Sequence, residues 1–523
     1  MFKSPKHRGF FLACKVKWKI MDDSIYNGLI FEAKKFYEAD DKKKAYEFLY
    51  YAHDIKSDDA DTLNNLGKVA AELGFFSEAI KFCEKILVLR PKDTRTMANM
   101  AGVYSQIGEA EKALEFFRKA REINPQDSRN HSDFLMTLHY KNLSQEEVFK
   151  EHLYFGEIFE GREKQSRKIA KYKHEKIRIG YVTYDLAEHA IWYILRGILP
   201  HHDREHFEIY LYWTNPNYNP EEDELKKTGN FWRTVADLNV EQLKLEIQKD
   251  EIDVLIDLSG HTGGNVLPLF AERAAPVQMS WFGYMDTTGL KNMDYRITDR
   301  FRIPENRAKF YTEKLLYLPE SYAFEPRIRL PKSSWPLPMN EKGAVTFGAF
   351  NAMKKINRTL VETWAEILKK LPTATLMIVV EQSAEYEKKI RSWFETAGIA
   401  ASQIRFENFR PINEFLKLAS TVDVALDSFP YTGGITTYHA LSVGVPNVTL
   451  LGETEYERNA GAILRSLDLA EFITNSREEY IEKAVAQAKN SGRLSEIRKT
   501  VPFLLGQDNP AVVASLEKFL LQL

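Results

Sequence analysis

Between residues 24 and 172 apolar positions recur three and four apart, the spacing of one helix face. A period of 34 residues runs through this part. Ala45, Ala79 and Ala113 share one position, Gly74 and Gly108 a second, Pro91 and Pro125 a third, Phe82 and Phe116 a fourth, and Ala52, Ile86 and Ala120 a fifth. Small residues at fixed sites let paired helices approach closely, and the proline ends each second helix before the next unit begins. Leu138, Leu143, Val148, Leu153, Phe155 and Phe159 carry the helical reading on over 130–172, as a connector that caps the array.

At Lys176 the pattern changes to short apolar runs separated by helical stretches. Residues 177–182, 207–213, 252–258 and 277–281 read as strands, with helices over 191–199 and 238–249. After a proline-rich linker at 331–338, a second series of strands is predicted at 345–350, 375–380, 404–408, 422–427 and 447–451. Strands alternating with helices of this length make parallel sheets with helices on both faces, and two such series make two lobes with a cleft between them. Ligands of such sheets sit at the carboxyl ends of the strands, so the loops that follow the strands are where chemistry is expected.

The helical units resemble the tetratricopeptide repeat in period and in their Gly, Ala and Pro positions. The resemblance covers about three units, residues 24 to 127, the first of them degenerate because Asp40 stands for the glycine and Ser57 for the proline. It implies a concave surface that holds a protein partner. Deletion of 24–127 is then expected to abolish modification of that partner while sparing chemistry on small substrates. The division read from the pattern is a basic extension at 1–21, an arm at 22–143, a helical connector at 144–175, lobes at 176–336 and 337–505, and a terminal helix at 506–523.

Charge and cysteine content narrow the class. The 523 residues carry 72 basic and 74 acidic side chains, which gives no bulk attraction to nucleic acid or to anionic lipid. Cys14 and Cys83 are the only cysteines, too few for a disulfide framework or a thiolate zinc site, and a reducing cytoplasm fits. No uncharged apolar run is long enough to span a membrane. The apolar piece from Gly9 to Cys14 is too short and too closely followed by lysines for a secretory signal, and Met21 before Asp22-Asp23-Ser24 offers an alternative start of translation.

The most informative segment is Asp427-Ser428-Phe429-Pro430-Tyr431-Thr432-Gly433-Gly434-Ile435-Thr436-Thr437. A strand ends, a glycine pair permits a tight backbone, and Thr436 and Thr437 fall at a helix start. Backbone N–H groups, two hydroxyls and the positive end of a helix suit a diphosphate, although the same residues also suit a plain loop-to-helix junction. His189, after the first strand, and His261, after Asp257-Leu258-Ser259-Gly260, share a topological position facing the cleft. Either could accept or orient a hydroxyl proton, and the sequence does not say which. Lys354 and Lys355 read as the beginning of an amphipathic helix.

These motifs, together with Phe350-Asn351-Ala352-Met353-Lys354-Lys355, Gly260-His261-Thr262-Gly263-Gly264, Ala275-Pro276-Val277-Gln278 and Asp294-Tyr295, resemble the O-GlcNAc transferase and SPINDLY family from about Lys176 to Leu505. The resemblance implies a GT-B core behind a tetratricopeptide arm, and an inverting transfer of a sugar from a nucleotide-sugar to a protein hydroxyl. It implies that Lys355 stabilises the departing diphosphate, that His189 is essential, that Gly433, Gly434, Thr436 and Thr437 bind the diphosphate, and that Asn351, Arg410, His439, Arg458 and His261 line the rest of the cleft. No DxD-type metal site is present, so protein cations are expected to replace a divalent ion, with no cofactor besides the donor. UDP-GlcNAc is the leading donor; GDP-fucose, UDP-glucose with transfer to asparagine, and a non-catalytic repeat adaptor are the alternatives. Three departures bear on the donor and the cleft, the first being that Pro411-Ile412-Asn413-Glu414-Phe415 lacks the basic and histidine residues that the family's animal members place around the uracil. Tyr438-His439-Ala440 replaces a stretch that carries an acidic residue in the family, and Gly283-Tyr284-Met285-Asp286 replaces a Gly-Tyr-Pro-Gly turn.

Overall fold

The computed structural model describes residues 18–161, 169–185, 190–216, 226–227, 231–319, 336–505 and 510–523, with side chains from residue 23 onward. Eight helices form the arm: α1 (Trp18–Glu38), α2 (Lys42–Ile55), α3 (Ala60–Glu72), α4 (Phe76–Leu89), α5 (Thr94–Gln106), α6 (Ala110–Ile123), α7 (Ser128–Leu138) and α8 (Gln145–Glu160). The 34-residue register shows in the packing, since Ala45, Ala79, Ala113, Ala52 and Ala120 are fully buried between paired helices. Each repeat also carries a start signal. Asp59, Asp93 and Asp127 cap α3, α5 and α7 by accepting the backbone N–H three residues on. Gly74 and Gly108 turn the chain in the left-handed region at φ 75° and 76°, and Asp40 takes the same turn at φ 59° in the degenerate unit.

Helix α8 ends at Glu160, and 169–176 is not helical, so the helical reading of 130–172 holds only in part. Gly161, at φ 79°, follows the last turn.

The first lobe is a seven-stranded parallel sheet in the order β3-β2-β1-β4-β5-β6-β7. Its strands are β1 (Ile177–Thr183), β2 (Phe207–Trp213), β3 (Phe231–Thr234), β4 (Val254–Asp257), β5 (Val277–Ser280), β6 (Tyr295–Thr298) and β7 (Lys314–Tyr317). The second is six-stranded in the order β10-β9-β8-β11-β12-β13. It comprises β8 (Thr346–Ala349), β9 (Thr375–Val380), β10 (Ile404–Asn408), β11 (Val424–Leu426), β12 (Asn447–Leu450) and β13 (Ile473–Thr474). Both sheets reverse strand order next to their first strand, between β1 and β4 and between β8 and β11, and the crevices open there. Helix Ala511–Leu520 closes the chain on the first lobe: Val512, Val513, Leu516 and Leu520 join the core of Ile179 and Trp213, and Glu517 receives His202 Nδ1 at 2.8 Å.

The arm is packed into both lobes. Ala70, Phe76 and Val103 share a core with Trp364 and Tyr386 of the second lobe, and Phe117, Phe134 and Phe155 share one with Leu255, Leu269 and Met293 of the first. The Gly74 turn lies so close to Gln382 that a Cβ there would strike its carbonyl oxygen. Ser383 Oγ donates to the Gly74 carbonyl at 3.1 Å, and Lys389 Nζ to the Ile107 carbonyl at 3.1 Å. This changes the expectation for the arm. Deleting 24–127 uncovers apolar surface on both lobes, so the expected outcome is a fall in soluble yield and melting temperature together with loss of donor hydrolysis. Unchanged melting with intact donor hydrolysis would show that the arm is a detachable adaptor.

Candidate active site

The switch point of the second sheet brings two loops together. After β8 the chain passes Phe350 and Asn351 and makes a single 3-10 turn, Met353–Lys355. The next helix, Arg358–Lys370, starts only after Asn357, whose Oδ1 accepts from Leu360 N at 2.9 Å. Lys354 and Lys355 therefore end a tight turn and do not begin the helix. The turn aims Lys355 at the loop after β11, where its Nζ donates to the Thr432 carbonyl at 2.9 Å and lies 4.2 Å from the centre of the Tyr431 ring. Asn357 Nδ2 ties the two loops again through the Phe429 carbonyl at 2.8 Å.

Burial pushes the Lys355 ammonium down to about 8, against the pull of the Asp427 carboxylate. Asp427, at the end of β11, anchors the glycine loop from below: Oδ1 accepts from Ser428 N and Gly433 N at 2.9 Å each, and Oδ2 from Thr449 Oγ1 at 2.8 Å. Burial raises this carboxyl to about 6, and the hydrogen bonds and Lys355 act in the other direction. Sequence reasoning missed its role. An acidic residue closing a buried strand just ahead of a glycine pair was the available signal.

Helix Ile435–Ser442 starts at Gly434, which offers no capping side chain. The four residues assigned to the diphosphate divide into two kinds. Gly433 N–H is already given to Asp427, and the buried Thr437 hydroxyl accepts from Asn447 Nδ2 at 3.0 Å. Gly434 and Thr436 are the half-exposed pair at the helix mouth. Substitution at Gly433 would drive a Cβ into the Thr437 hydroxyl. Farther along the helix, buried His439 stands edge-on to Tyr193 of the first lobe at 5.2 Å, and its Nε2 has no hydrogen-bond partner among the described residues. Burial lowers it to about 4, so the ring is neutral near pH 7. Asn351 Oδ1 is likewise buried without a partner. Two orphaned polar atoms, one just after β8 and one on the helix that follows β11, fit a polar ligand that supplies what the protein does not.

The remaining candidates are placed differently. Arg410 follows the edge strand β10 and pairs with Glu407 at 2.7 Å. Arg458 is a clamp between lobes, donating to the Phe301 carbonyl at 2.7 Å and the Gly452 carbonyl at 3.0 Å. His261 does not face the cleft. It is fully enclosed under the arm, with Nε2 donating to the Thr288 carbonyl at 3.0 Å and Nδ1 accepting from Ser132 Oγ at 2.9 Å. Burial holds its imidazole well below the usual value and neutral, and both nitrogens are occupied. His189 lies outside the described residues, which resume at Ala190.

The turn at Gly283–Asp286 explains its departure from the family pattern by what it touches. Asp286 Oδ2 accepts from His139 Nε2 of the arm at 3.2 Å, and the Tyr284 hydroxyl meets His152 Nε2 at 2.7 Å. Among the described residues two groups have ligand atoms close enough to share an ion, His139, His152 and Asp286 in this buried knot and Asp203, Glu205 and His206 on the surface. The first is a buried hydrogen-bonded network between arm and lobe, and the second is exposed.

Among the described residues a buried ion pair that the sequence did not reveal also joins the lobes. Arg296 of β6 binds Glu455 at 2.6 Å, and Glu455 opens helix Glu455–Ser466. The same helix fixes the Thr432 loop, since Thr432 N and Oγ1 both donate to the Tyr456 carbonyl, at 3.0 and 2.8 Å.

Comparison with known proteins agrees with this architecture. Residues 158–330 and 331–507 match Glycosyl transferase family 41, and residues 58–126 match the tetratricopeptide repeat. Over 345 residues, 65% of this chain, it is 30% identical to the probable UDP-N-acetylglucosamine–peptide N-acetylglucosaminyltransferase SPINDLY of Solanum lycopersicum. Over 338 residues, 62% of the chain, it is 31% identical to the probable enzyme of the same description, SEC, of Arabidopsis thaliana. These matches span 37% and 34% of the two relatives, so the chain corresponds to little more than a third of their length. A lysine-to-methionine mutant of the Thermobaculum terrenum O-GlcNAc transferase superposes with a TM-score of 0.86 at 28% identity, covering 96% of this chain and 97% of that one. With a repeat arm, two parallel-sheet lobes and a family match over both lobes, the chain belongs to glycosyl transferase family 41.

Proposed function

We propose that this protein transfers N-acetylglucosamine from UDP-GlcNAc to serine or threonine hydroxyls of protein acceptors. The observation that carries the reading is the Lys355 ammonium held at the switch point of the second sheet, beside the half-exposed mouth of helix Ile435–Ser442. In this reading the second lobe, 337–505, holds the donor and the first, 176–336, the acceptor. Lys355, Thr436 and the amides at the helix mouth meet the charge that grows on the diphosphate as the sugar leaves, which is where a fixed cation in a dry site is most effective. Asn351 and His439 supply unmet polar groups for the rest of the donor, and Gly433 and Thr437 act by shaping the loop. His189 stays in the proposal as an essential residue on its sequence position alone. Among the described residues no helix is long and apolar enough to cross a membrane, and Cys83 is a free buried thiol; a cytoplasmic setting is part of the proposal.

The test is release of free nucleotide by the purified protein from UDP-GlcNAc, GDP-fucose and UDP-glucose in parallel. Release from UDP-GlcNAc alone supports the reading. A preference for GDP-fucose would assign a fucosyl transfer, the second reading that the lack of an acidic residue in Tyr438-His439-Ala440 allows. No release from any donor, with binding intact, would leave an adaptor.

Because protein cations carry the diphosphate charge in this scheme, EDTA is expected to leave the transfer rate nearly unchanged. Loss of activity restored by magnesium or manganese would contradict it. The kcat/KM profile, which reports groups of the free enzyme, is expected to be bell-shaped. Asp427 works as a carboxylate, so activity falls as pH drops through about 6. Lys355 works as a cation, so activity falls as pH rises through about 8. A profile flat from about pH 5 to pH 9 would remove both groups from the mechanism.

A further inference from the structure

The Lys355 ammonium is covered by an aromatic stack that begins in the repeat arm. Tyr431 lies under Nζ at 4.2 Å. Its ring is stacked on Tyr456 of helix Glu455–Ser466, with centroids 5.4 Å apart and planes within 21°. It also meets Tyr140, just past the end of α7, at 5.6 Å and 33°. His139 stacks on Tyr456 at 4.3 Å and reaches Tyr431 at 6.1 Å. Tyr140 also carries Lys354 over its face at 5.3 Å, and its own hydroxyl is buried with no hydrogen-bond partner among the described residues, so the ring is there for its faces.

We propose that Tyr431, held by ring contacts from Tyr140 of the arm and from Tyr456, is the positioning residue that holds the Lys355 ammonium at the leaving-group side of the cleft, so that the turn after α7 of the arm is a working part of the catalytic centre. The proposal rests on the role given to Lys355 above. An aromatic face stabilises a desolvated cation through its quadrupole, and does so most where water is excluded. Here burial lowers the affinity of Lys355 for its proton. The Tyr431 face, the Thr432 carbonyl and Asp427 oppose that loss. The charged groups around the site are few. Asp427 faces Lys355 from the end of β11, and Lys354 faces it from its own turn. Asp133 of α7 and Glu381 face Lys354. Asp133 and Asp427 are both held near 6 and titrate on the acid side, which leaves the alkaline side to the two buried lysines; burial lowers Lys354 as well, and Lys355 is the one that meets the Tyr431 face.

Leucine at Tyr431 fills the space and keeps water out but has no π face. Tyr431→Leu is therefore expected to lower kcat about tenfold and to move the alkaline limb of kcat/KM about one pH unit lower, with donor KM changing less. Tyr431→Phe keeps the face and is expected to hold the limb at the parental pH. Tyr140→Leu, which removes the ring contact from the arm, is expected to move the limb the same way by a smaller amount. A residue of merely structural importance would lower the amount of active enzyme without moving the limb. All variants are made in the full chain and checked by melting temperature; should Tyr431→Leu fail to fold, Tyr140→Leu carries the test. An unmoved limb in the folded Leu variants overturns the proposal. An unmoved limb in Tyr140→Leu alone removes the arm from it. Lys355→Met separates the two levels. If it retains parental turnover the reading of the site fails, whereas if it is inactive while the Leu variants keep the parental limb, only the positioning role of Tyr431 fails.

Discussion

Lys355→Met is expected to lower kcat by about a hundredfold or more, with a much smaller change in donor KM. Among the described residues the ammonium is the side-chain cation that the two loops at the switch point aim at the Thr432 backbone, beside the helix mouth proposed to take the diphosphate. Its charge matters most when the leaving diphosphate gains charge, so its loss is felt in the transition state more than in the ground state. Methionine keeps the length of the stem and packs on the Tyr431 ring, and burial already disfavours the cation in the free protein. The variant is therefore expected to melt no lower than the parent. Steady-state kinetics with a melting curve checks both halves. A stable variant with parental turnover would exclude Lys355 from the chemistry, and an unfolded one would make it structural.

The largest expected effect on stability is at the lobe interface. Arg296 and Glu455 are almost completely buried, their side chains 2% and 3% exposed, and bind at 2.6 Å. Glu455→Ala leaves a buried guanidinium whose other partners are neutral, the Tyr284 carbonyl and the Ser280 hydroxyl. Removing one partner of a buried pair costs about 3–5 kcal/mol, whereas replacing both with apolar groups costs little. Glu455→Ala should then lower the denaturation midpoint sharply, and Arg296→Met combined with Glu455→Leu should recover most of the loss. Because helix Glu455–Ser466 holds the Thr432 loop, Glu455→Ala is also expected to raise donor KM. Equal stability of the single variant and the parent would mean that the pair is not closed in solution.

What could be read in advance followed the range of the forces involved. The arm was legible because its repeat is local: alanines, glycines and prolines at 34-residue spacing answer to contacts within one helix pair. The buried strands β1, β2, β4, β5, β8, β9, β11 and β12 showed as apolar runs, and the partly exposed edge strand β10 was read with them. Strand β3 did not, because Phe231–Thr234 is a partly exposed edge with no apolar run, and the two-residue β13 is too short to leave a pattern. Arg296 in β6 and Lys314 in β7 broke the apolar signal there.

The site divides in the same way. The glycine pair, the threonines at a helix start and Lys355 were readable from a strand–loop–helix pattern and from resemblance. Which of them stay open to a ligand was not, because Gly433 and Thr437 are occupied by Asp427 and Asn447 through folding of the loop onto β11 and β12. His261 was placed in the cleft by topology and lies under the arm instead, since the groups that enclose it, Ser132 and Phe155, come from helices more than a hundred residues earlier. Asp286 in the altered turn looked like a lost motif and is the acceptor for His139 of the arm. Such residues have no local signature, and only the docked arm gives them a role.

The most direct measurement of the central claim is intact-mass analysis of a protein acceptor incubated with this enzyme and UDP-GlcNAc, beside the Lys355→Met variant. The account predicts mass increments of whole N-acetylhexosamine units on serine or threonine with the parent enzyme and none with the variant. Parental addition by a folded Lys355→Met enzyme, or addition to asparagine in place of a hydroxyl, would contradict it.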